Sequence, residues 1–215
     1  MTNAALLSHI DHTLLNPTAS WNEIHSLCLE AVQYQTASVC IPPSYVERVY
    51  RTIQGAVRLC TVIGFPLGYN TTAIKYAEAA QALAQGADEL DMVIDGGAVK
   101  NGELGLVRRE IEQIKLLAGE RILKVIVETC YLSEAEKIQL CTLVSDAGAD
   151  YIKTSTGFGS AGAVLADILL FKQHLASGVK IKASGGIKTR EALEAFLEAG
   201  CDRIGSSSAL ALLKG

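Results

Sequence analysis

Long apolar runs are absent from this sequence, and so is the leader pattern of an exported protein. No stretch of about 18 consecutive apolar residues occurs, so the sequence predicts no membrane-spanning helix. The N-terminal segment lacks a basic region followed by a long apolar one, which argues against a signal peptide. We therefore expect a cytoplasmic protein that does not bind membranes.

A surplus of positive charge is also missing. The 215 residues include 19 Lys and Arg against 23 Asp and Glu, a formal net charge of −4, and the chain contains no charge run. Such a protein has no bulk positive charge with which to neutralise phosphates. The composition therefore argues against general nucleic-acid binding, although it permits a local anion site.

Metal-binding cysteine spacings are absent as well. The six cysteines, at positions 28, 40, 60, 130, 141 and 201, include no C-x2-C pair, and the four histidines complete no zinc pattern. Cys40 and Cys60 lie in apolar, strand-like stretches, which is typical of buried small side chains. We predict free thiols in a reducing compartment and no metal site.

Short apolar or β-branched runs alternate with longer amphipathic segments. Eight runs are candidate strands, at residues 9–14, 38–41, 58–63, 89–94, 124–129, 151–155, 179–183 and 203–206. Helix-like segments include residues 72–85, 103–117, 133–147, 161–175 and 189–199. This alternation implies right-handed βαβ units and a parallel sheet. The fold class is therefore α/β, and residues 1–215 are predicted to form a single (β/α)8 TIM barrel.

Local signals support this division of the chain. An open doubly wound sheet is the alternative architecture, but no G-x-G-x-x-G follows the first strand. Ser133 and Glu136 have the spacing of a capping box at a helix start. Gly86, Gly148 and Gly200 each follow a helical segment, where a left-handed glycine commonly ends the helix.

Charged residues inside the candidate strands are the main anomaly, because strands of a parallel barrel are buried. Side chains alternate between the two faces of a strand, and the apolar alternates are expected to face the helices. The barrel interior would then contain Asp91, Lys124, Glu128, Lys153 and Lys182. The alternative to a functional role is an ion network that only fills the barrel interior. This alternative fits Lys180 best, because Lys180 lies near the start of its strand and is expected at the bottom rim.

Two interior lysines suggest amine chemistry. Burial and a second ammonium both disfavour the charged form of a lysine, which makes its amine available as a nucleophile. Attack of Lys153 on an aldehyde would give an iminium, an electron sink that weakens the adjacent C–C bond. Lys182 would supply the activating charge, and Asp91 would carry protons. This chemistry requires no metal or cofactor.

Two glycine- and serine-rich segments predict a phosphate site. Gly185 and Gly186 follow the seventh strand, whereas Gly205 and Ser207 follow the eighth and precede a final short helix. Loops after strands seven and eight, with a helix N-terminus, form the recurrent phosphate site of TIM barrels. A lone Gly-Gly would more often be only a turn. Together the two loops point to a phosphorylated aldehyde as substrate.

These segments resemble the deoxyribose-phosphate aldolase family, whose members are class I (Schiff-base) aldolases. The matching segments lie in all eight predicted strands: IDHTLL (10–15), SVC and PSYV around Cys40, CTVIGFPLG (60–68), ELDMVI (89–94), KVIVETC (124–130), YIKTSTGF (151–158), IKASGGIKT (181–189) and RIGSSS (203–208). The resemblance implies reversible cleavage of 2-deoxy-D-ribose 5-phosphate into D-glyceraldehyde 3-phosphate and acetaldehyde, in deoxyribonucleotide catabolism.

The resemblance also implies roles for individual residues. Lys153 of KTSTG is the Schiff-base residue, Lys182 of KASGG tunes it, and Asp91 handles protons. Asp11 and Lys124 are supporting residues near the lysines. Phosphate contacts are assigned to Gly157, Gly185, Gly186, Gly205 and Ser207.

Two positions depart from the family pattern. Pro42 stands where many relatives have asparagine, which affects the second loop and the contacts to substrate hydroxyls. Phe158 replaces a lysine that some members carry, so phosphate affinity would rest more on backbone groups and Lys188. Cys40 lies near the second loop, where it is expected to be an inert core thiol.

Two other functions are consistent with the residues alone. One is a different Schiff-base barrel lyase acting on another phosphorylated sugar or a keto acid, since fold does not fix function. The other is a non-catalytic phosphate-binding barrel. For the assembly we expect a homo-oligomer, most simply a homodimer, because symmetric pairs are the commonest assemblies.

Overall fold

Eight parallel strands form one closed barrel in the computed structural model, which describes residues 1–213. The strands are β1 Ile10–Thr13, β2 Ser38–Ile41, β3 Leu59–Ile63, β4 Glu89–Val93, β5 Ile122–Ile126, β6 Tyr151–Lys153, β7 Lys180–Ser184 and β8 Arg203–Ser206. Each strand pairs in parallel with the next, and β8 pairs with β1. The predicted TIM barrel is confirmed.

Helices alternate with the strands along the chain. Within residues 1–213 they are α1 Asn3–Leu7, α2 Trp21–Tyr34, α3 Val46–Ile53, α4 Thr72–Ala84, α5 Gly96–Lys100, α6 Leu104–Ala118, α7 Glu134–Asp146, α8 Leu165–His174, α9 Arg190–Ala199 and α10 Ala209–Leu213. Two 3-10 turns, Pro43–Tyr45 and Thr129–Tyr131, follow β2 and β5. No helix in this described part of the chain is both long and apolar enough to cross a bilayer.

The predicted helix boundaries hold to within one residue, except at the start of α8. That helix begins at Leu165 rather than at residue 161. The preceding segment instead packs on the end of β7, where the Ala163 N–H donates to the carbonyls of Ser184 and Gly185, both at 3.1 Å. These hydrogen bonds hold the segment beside the open end of the barrel, so the helix begins four residues later than predicted.

The predicted helix-end signals are present. Ser133 and Glu136 form the expected capping box, with the Ser133 hydroxyl accepting from the Glu136 N–H. Gly86, Gly148 and Gly200 have φ values of +106°, +77° and +119°, in the region that favours glycine. These residues therefore end α4, α7 and α9 as the sequence predicts.

The hydrophobic core lies between the strands and the surrounding helices. Leu90 and Met92 of β4 and Ile181 and Ala183 of β7 are buried there. The residues between them along each strand face the barrel interior. The division between an apolar outer face and a charged inner face is thus as predicted.

Glu128 is the exception, and its predicted position was wrong. β5 ends at Ile126, and Glu128 has a left-handed backbone with φ +54°. The flanking N–H groups of Val127 and Thr129 still donate to the carbonyls of Lys153 and Thr154, so the chain continues beside β6. The left-handed residue breaks the alternation of side chains, however, and turns the Glu128 carboxylate towards Thr156 instead of the barrel interior.

All six cysteines are free thiols, as predicted, and five of them are buried. Cys28, Cys141 and Cys201 pack in the core, where burial raises the pKa of each thiol to about 12. In the unfolded chain a thiol has a pKa of about 8.5. Because the folded-state pKa is the higher one, this stabilising contribution is complete below the unfolded pKa and is lost as the pH rises.

We therefore expect unfolding free energy to fall in mildly alkaline solution. At about pH 9.5 each of these thiols should account for a loss of about 1.4 kcal/mol. In urea unfolding, the decrease between about pH 7.5 and about pH 9.5 should be smaller in Cys141→Ala than in wild type by this amount. An equal decrease in both proteins would contradict the assignment.

Candidate active site

A cavity of about 620 Å³ opens at the end of the barrel where the strands have their C-termini. This is the end at which TIM barrels carry their active sites, and the volume suits a small ligand. The cavity is lined by residues 13–17, 153, 156–158, 184–188 and 205–208. These lining residues include all five predicted phosphate contacts and the predicted nucleophile.

Lys153 lies at the base of this cavity, at the end of β6. The residue is only 3% exposed, and its Nζ donates to Asp91 Oδ2 at 2.7 Å. Lys182 Nζ, from β7, donates to the same oxygen at 2.6 Å. The structure therefore brings the three predicted catalytic residues together on one carboxylate oxygen, with Asp91 and Lys182 fully buried beneath the cavity.

The two predicted supporting residues lie in the same cluster. Lys124 Nζ donates to Asp91 Oδ1 at 2.8 Å and contacts the Glu89 carboxylate at 2.5 Å. Asp11, from β1, contacts Lys182 Nζ at 2.5 Å. Both side chains are completely buried.

Two further charged residues, Glu89 and Arg203, complete the cluster, and neither is among the site residues predicted from the sequence. Arg203 of β8 donates to both Asp11 and Glu89, and its contact with Glu89 is 2.9 Å. Acids and bases then alternate around a closed ring. The ring runs through Asp91, Lys124, Glu89, Arg203, Asp11 and Lys182 and returns to Asp91. Lys153 joins this ring from the cavity side through Asp91.

The ring strongly perturbs the ionisation of its carboxylates. Burial alone would raise the pKa of Asp91, but the ammonium groups of Lys124, Lys153 and Lys182 hold it well below its usual range. Burial likewise opposes ionisation of Asp11, whose pKa is lowered by Lys182, Lys124 and Arg203. Both carboxylates are therefore anions at neutral pH.

The buried bases respond in the opposite direction. Burial favours the neutral form of Lys182, yet Asp11 and Asp91 raise its pKa above the ordinary value. The pKa of Lys124 is raised in the same way, with Asp91 as the leading attractive charge. The sequence predicts that Lys182 acts on Lys153 as a neighbouring cation, whereas in the structure the Asp91 carboxylate connects the two amines.

The apolar part of the barrel interior lies next to this ring. Cys40 and Cys60 are paired across β2 and β3, and the Cys60 thiol donates to Asp91 Oδ1 at 3.2 Å. In the described part of the chain, these two thiols and the Asp91 carboxylate have ligand atoms within 4.8 Å of one another. The ammonium groups already on Asp91 oppose a metal ion at this position.

The glycines of the predicted phosphate loops have the conformations that glycine permits. Gly157, Gly185 and Gly186 have φ values of +86°, +83° and +77°. Gly205 lies within β8 rather than after it as was predicted, and it allows a close approach, because a Cβ there would lie 3.2 Å from Cε of Lys182. The loops can therefore come close to the lysines beneath them.

The two positions that depart from the family pattern lie in different surroundings. Phe158 lines the cavity, is half exposed, and meets the ring of Phe65 edge-on with the centroids 5.4 Å apart. Pro42 caps the 3-10 turn Pro43–Tyr45. Cys40 is completely buried in the apolar part of the barrel interior, in agreement with a buried thiol.

Comparison with known proteins agrees with this geometry. A family profile described as DeoC/LacD family aldolase matches residues 5–214. The chain is 55% identical over 215 residues to the deoxyribose-phosphate aldolase of Clostridium botulinum (strain Eklund 17B / Type B), covering 100% of this chain and 97% of the relative. It is 51% identical over 209 residues to that of Clostridioides difficile (strain 630), covering 97% and 95% of the two chains.

Solved structures give the same result. The tetrameric deoxyribose phosphate aldolase from Aeropyrum pernix superposes with a TM-score of 0.93 at 33% identity, covering 99% of this chain and 91% of the other. The profile match spans nearly the whole chain, and the relatives are similar from end to end. The chain therefore belongs to the DeoC/LacD family of aldolases.

Proposed function

We propose that this aldolase reversibly cleaves 2-deoxy-D-ribose 5-phosphate into D-glyceraldehyde 3-phosphate and acetaldehyde through a Schiff base on Lys153. The observation that carries the proposal is the position of the Lys153 amine, at the base of a cavity whose walls include the glycine- and serine-rich loops. The relatives named deoxyribose-phosphate aldolase support the choice of substrate. Cleavage of this sugar phosphate belongs to deoxyribonucleotide catabolism.

Lys153 is the member of the buried cluster that a substrate can reach. Among the described residues, Lys153 lines the cavity, whereas Lys124, Lys182 and Arg203 are buried and do not line it. The amine of Lys153 is therefore the one placed to add to a carbonyl carbon, and this addition requires its neutral form.

The reaction then proceeds in balanced steps. The neutral Nζ of Lys153 adds to C1 of the open-chain sugar, and the resulting carbinolamine takes up one proton and loses water to leave an iminium. A base removes the proton of the C3 hydroxyl, the C2–C3 bond breaks, and its electron pair moves into the iminium to give an enamine and D-glyceraldehyde 3-phosphate. Protonation of the enamine at carbon restores the iminium, and addition of water then releases acetaldehyde, the free amine and one proton.

Asp91 and Lys182 serve the proton transfers in this scheme. Asp91 Oδ2 accepts from both Lys153 and Lys182, so a proton can pass between the two amines through one carboxylate. Lys124 and Asp11 are supporting residues, because they hold Asp91 and Lys182 in place from the opposite side. No metal or cofactor takes part in any step.

The phosphate would bind where the β6, β7 and β8 loops meet the cavity. Gly157, Gly185, Gly186 and Gly205 supply backbone N–H groups that can approach an anion closely, and Ser207 adds a hydroxyl. Lys188 lines the same cavity and supplies a positive charge. This arrangement accounts for an anionic substrate in a protein of net negative charge.

Ser207→Ala tests the phosphate assignment. A hydrogen bond to a charged group is worth about 1.5 kcal/mol or more, so KM for deoxyribose 5-phosphate should rise about tenfold. Formation of the acetaldehyde adduct should be unaffected, because acetaldehyde has no phosphate. An unchanged KM, measured in a coupled assay for the triose phosphate, would remove Ser207 from the phosphate site.

The substrate itself is tested by comparing sugar phosphates. Deoxyribose 5-phosphate should be turned over with a higher kcat/KM than ribose 5-phosphate, fructose 1,6-bisphosphate or a phosphorylated keto acid. Preference for one of these other compounds would favour the alternative Schiff-base lyase. Binding of phosphate esters without any turnover would favour the non-catalytic barrel.

The proposed assembly is a homo-oligomer, with a homodimer as its simplest form. The Aeropyrum pernix relative is described as tetrameric, which supports self-association. Light scattering should then give at least twice the chain mass of 22.8 kDa. The free thiols suit the predicted cytoplasmic location, where thiols remain reduced.

A further inference from the structure

We infer that Glu128 is a positioning residue for substrate binding, which holds the turn at residues 156–158 in the shape that lines the catalytic cavity. The inference rests on the proposed function. Glu128 is buried and takes no part in the reaction steps above. Its role follows from the groups that it binds.

The Glu128 carboxylate is bound by hydrogen-bond donors and not by a cation. Both of its oxygens accept from the Thr156 N–H at 3.2 Å, and Oε2 also accepts from the Thr156 hydroxyl. Within residues 1–213 it forms no ion pair, and Lys100, which lines the adjoining cavity, is paired with Glu136. A buried carboxylate is retained only where hydrogen bonds satisfy it, and here one residue supplies most of them.

Thr156 connects Glu128 to the rest of the turn. Its hydroxyl oxygen also accepts from the Phe158 N–H at 3.0 Å, which closes a turn around Gly157. Gly157 has φ +86° at the tip of the turn, and its N–H has no hydrogen-bond partner among the described residues. Gly159 packs directly on the anchor, since a Cβ there would lie 3.0 Å from the Glu128 carboxyl carbon.

The turn needs an anchor because it is a thin wall between two cavities. Thr156 and Phe158 line the catalytic cavity of about 620 Å³ and also a second cavity of about 140 Å³ behind it. Glu128 lies on the side of the second cavity. With open space on both faces, the wall is held by its hydrogen bonds and by the edge-on contact of Phe158 with Phe65, and Glu128 accepts two of these hydrogen bonds.

The backbone of Glu128 gives independent support. Its φ of +54° is uncommon for a residue other than glycine, and such conformations cluster at functional sites where the surroundings enforce them. A carboxylate also suits the position chemically. It is acceptor-only and can receive both an N–H and an O–H, whereas glutamine must turn its NH2 group towards one of these donors.

The test compares Glu128→Ala and Glu128→Gln with a matched control, Glu23→Gln. Glu23 accepts from the N–H and hydroxyl of Ser20 at 2.7 and 2.6 Å, the same pair of donors, but at the start of α2. Three quantities are measured: KM for deoxyribose 5-phosphate, the rate of borohydride-trapped adduct formation from acetaldehyde, and amide hydrogen exchange in the peptide containing residues 156–158.

For Glu128→Ala we expect KM to rise about tenfold or more, because a positioning contact is lost. The KM of Glu128→Gln should lie between those of wild type and Glu128→Ala. In the Glu128 variants, exchange at residues 156–158 should be faster, while the rate of adduct formation should match that of wild type. In Glu23→Gln, KM should also match wild type. Unchanged KM and exchange in Glu128→Gln and Glu128→Ala would overturn the inference. A lower adduct rate and a lower melting temperature that accompany the rise in KM would also overturn it, since such changes together indicate a structural role. A wild-type protein that forms no adduct would instead contradict the proposed function and the inference with it.

Discussion

Replacement of Lys153 by methionine is expected to abolish cleavage while leaving the fold intact. Without the amine no imine can form, and loss of a covalent nucleophile lowers kcat by roughly 10⁴-fold or more. Stability should change little, because the remaining cluster has three cations facing three anions and Asp91 keeps its contacts with Lys124 and Lys182. Steady-state kinetics and thermal unfolding of the same preparation measure both effects.

Lys180→Met provides the matched control for this variant. Lys180 lies on β7, two residues before Lys182, but it is exposed at the opposite end of the strand and contacts the ring of Tyr151. The control should keep wild-type kcat and KM. Near wild-type kcat in Lys153→Met would contradict the Schiff-base mechanism.

Asp91→Asn is expected to damage both rate and stability. The change leaves the ammonium groups of Lys124, Lys153 and Lys182 without the anion that they share. Removing one partner from a buried ion cluster destabilises a protein by about 3–5 kcal/mol. Loss of the proposed proton-transfer group should in addition lower kcat by about 10²–10⁴-fold. Urea unfolding at neutral pH and steady-state kinetics give the two numbers.

A second buried carboxylate separates these two effects. Glu110 of α6 pairs with Lys75 of α4 at 2.8 Å, outside the barrel interior. Glu110→Gln should lose stability while kcat is retained, so a fall in kcat specific to Asp91→Asn reports on the reaction. If Asp91→Asn were as stable and as active as wild type, the shared-carboxylate account would be wrong.

The pH dependence of the unfolding free energy provides a further test of Asp91. Its folded-state pKa is depressed, so its contribution to stability is present above the unfolded value of about 3.9 and is lost as the pH falls below that value. The asparagine variant lacks the titrating group. Its unfolding free energy should therefore decrease less than that of wild type on acidification from neutral pH.

Strand alternation was enough to predict which charged side chains meet inside the barrel. Lys124, Lys153, Lys182 and Asp91 are charged residues within otherwise apolar strands, and a barrel has only one interior for them to share. Their exact partners could not be derived, because alternation gives the face of a strand but not the distances between side chains. The Asp91 oxygen that joins Lys153 to Lys182 became apparent only in three dimensions.

Arg203 was not predicted as a member of the charged cluster, because the height of a residue along the barrel axis depends on strand register. It begins β8, as Lys180 begins β7, and a charge at a strand start usually reaches the rim. The strands are staggered, however, and Arg203 pairs in register with Lys182 rather than with Lys180. This offset places the guanidinium inside the ring next to Asp11.

Glu128 was misplaced for a different reason. Nothing in the segment KVIVET indicates a left-handed residue, since glutamate seldom adopts that conformation. The conformation depends on the hydrogen bonds to Thr156, a residue 28 positions further along the chain. Tertiary contacts of this kind override local pattern.

The most direct test of the central claim is to trap the covalent intermediate. Purified protein is treated with acetaldehyde and borohydride, digested, and mapped by mass spectrometry. We expect an N-ethyl group on Lys153 of the wild-type protein, and no adduct in the corresponding peptide of Lys153→Met. An adduct that formed on a different lysine, or full turnover of deoxyribose 5-phosphate by protein in which Lys153 is never modified, would contradict it.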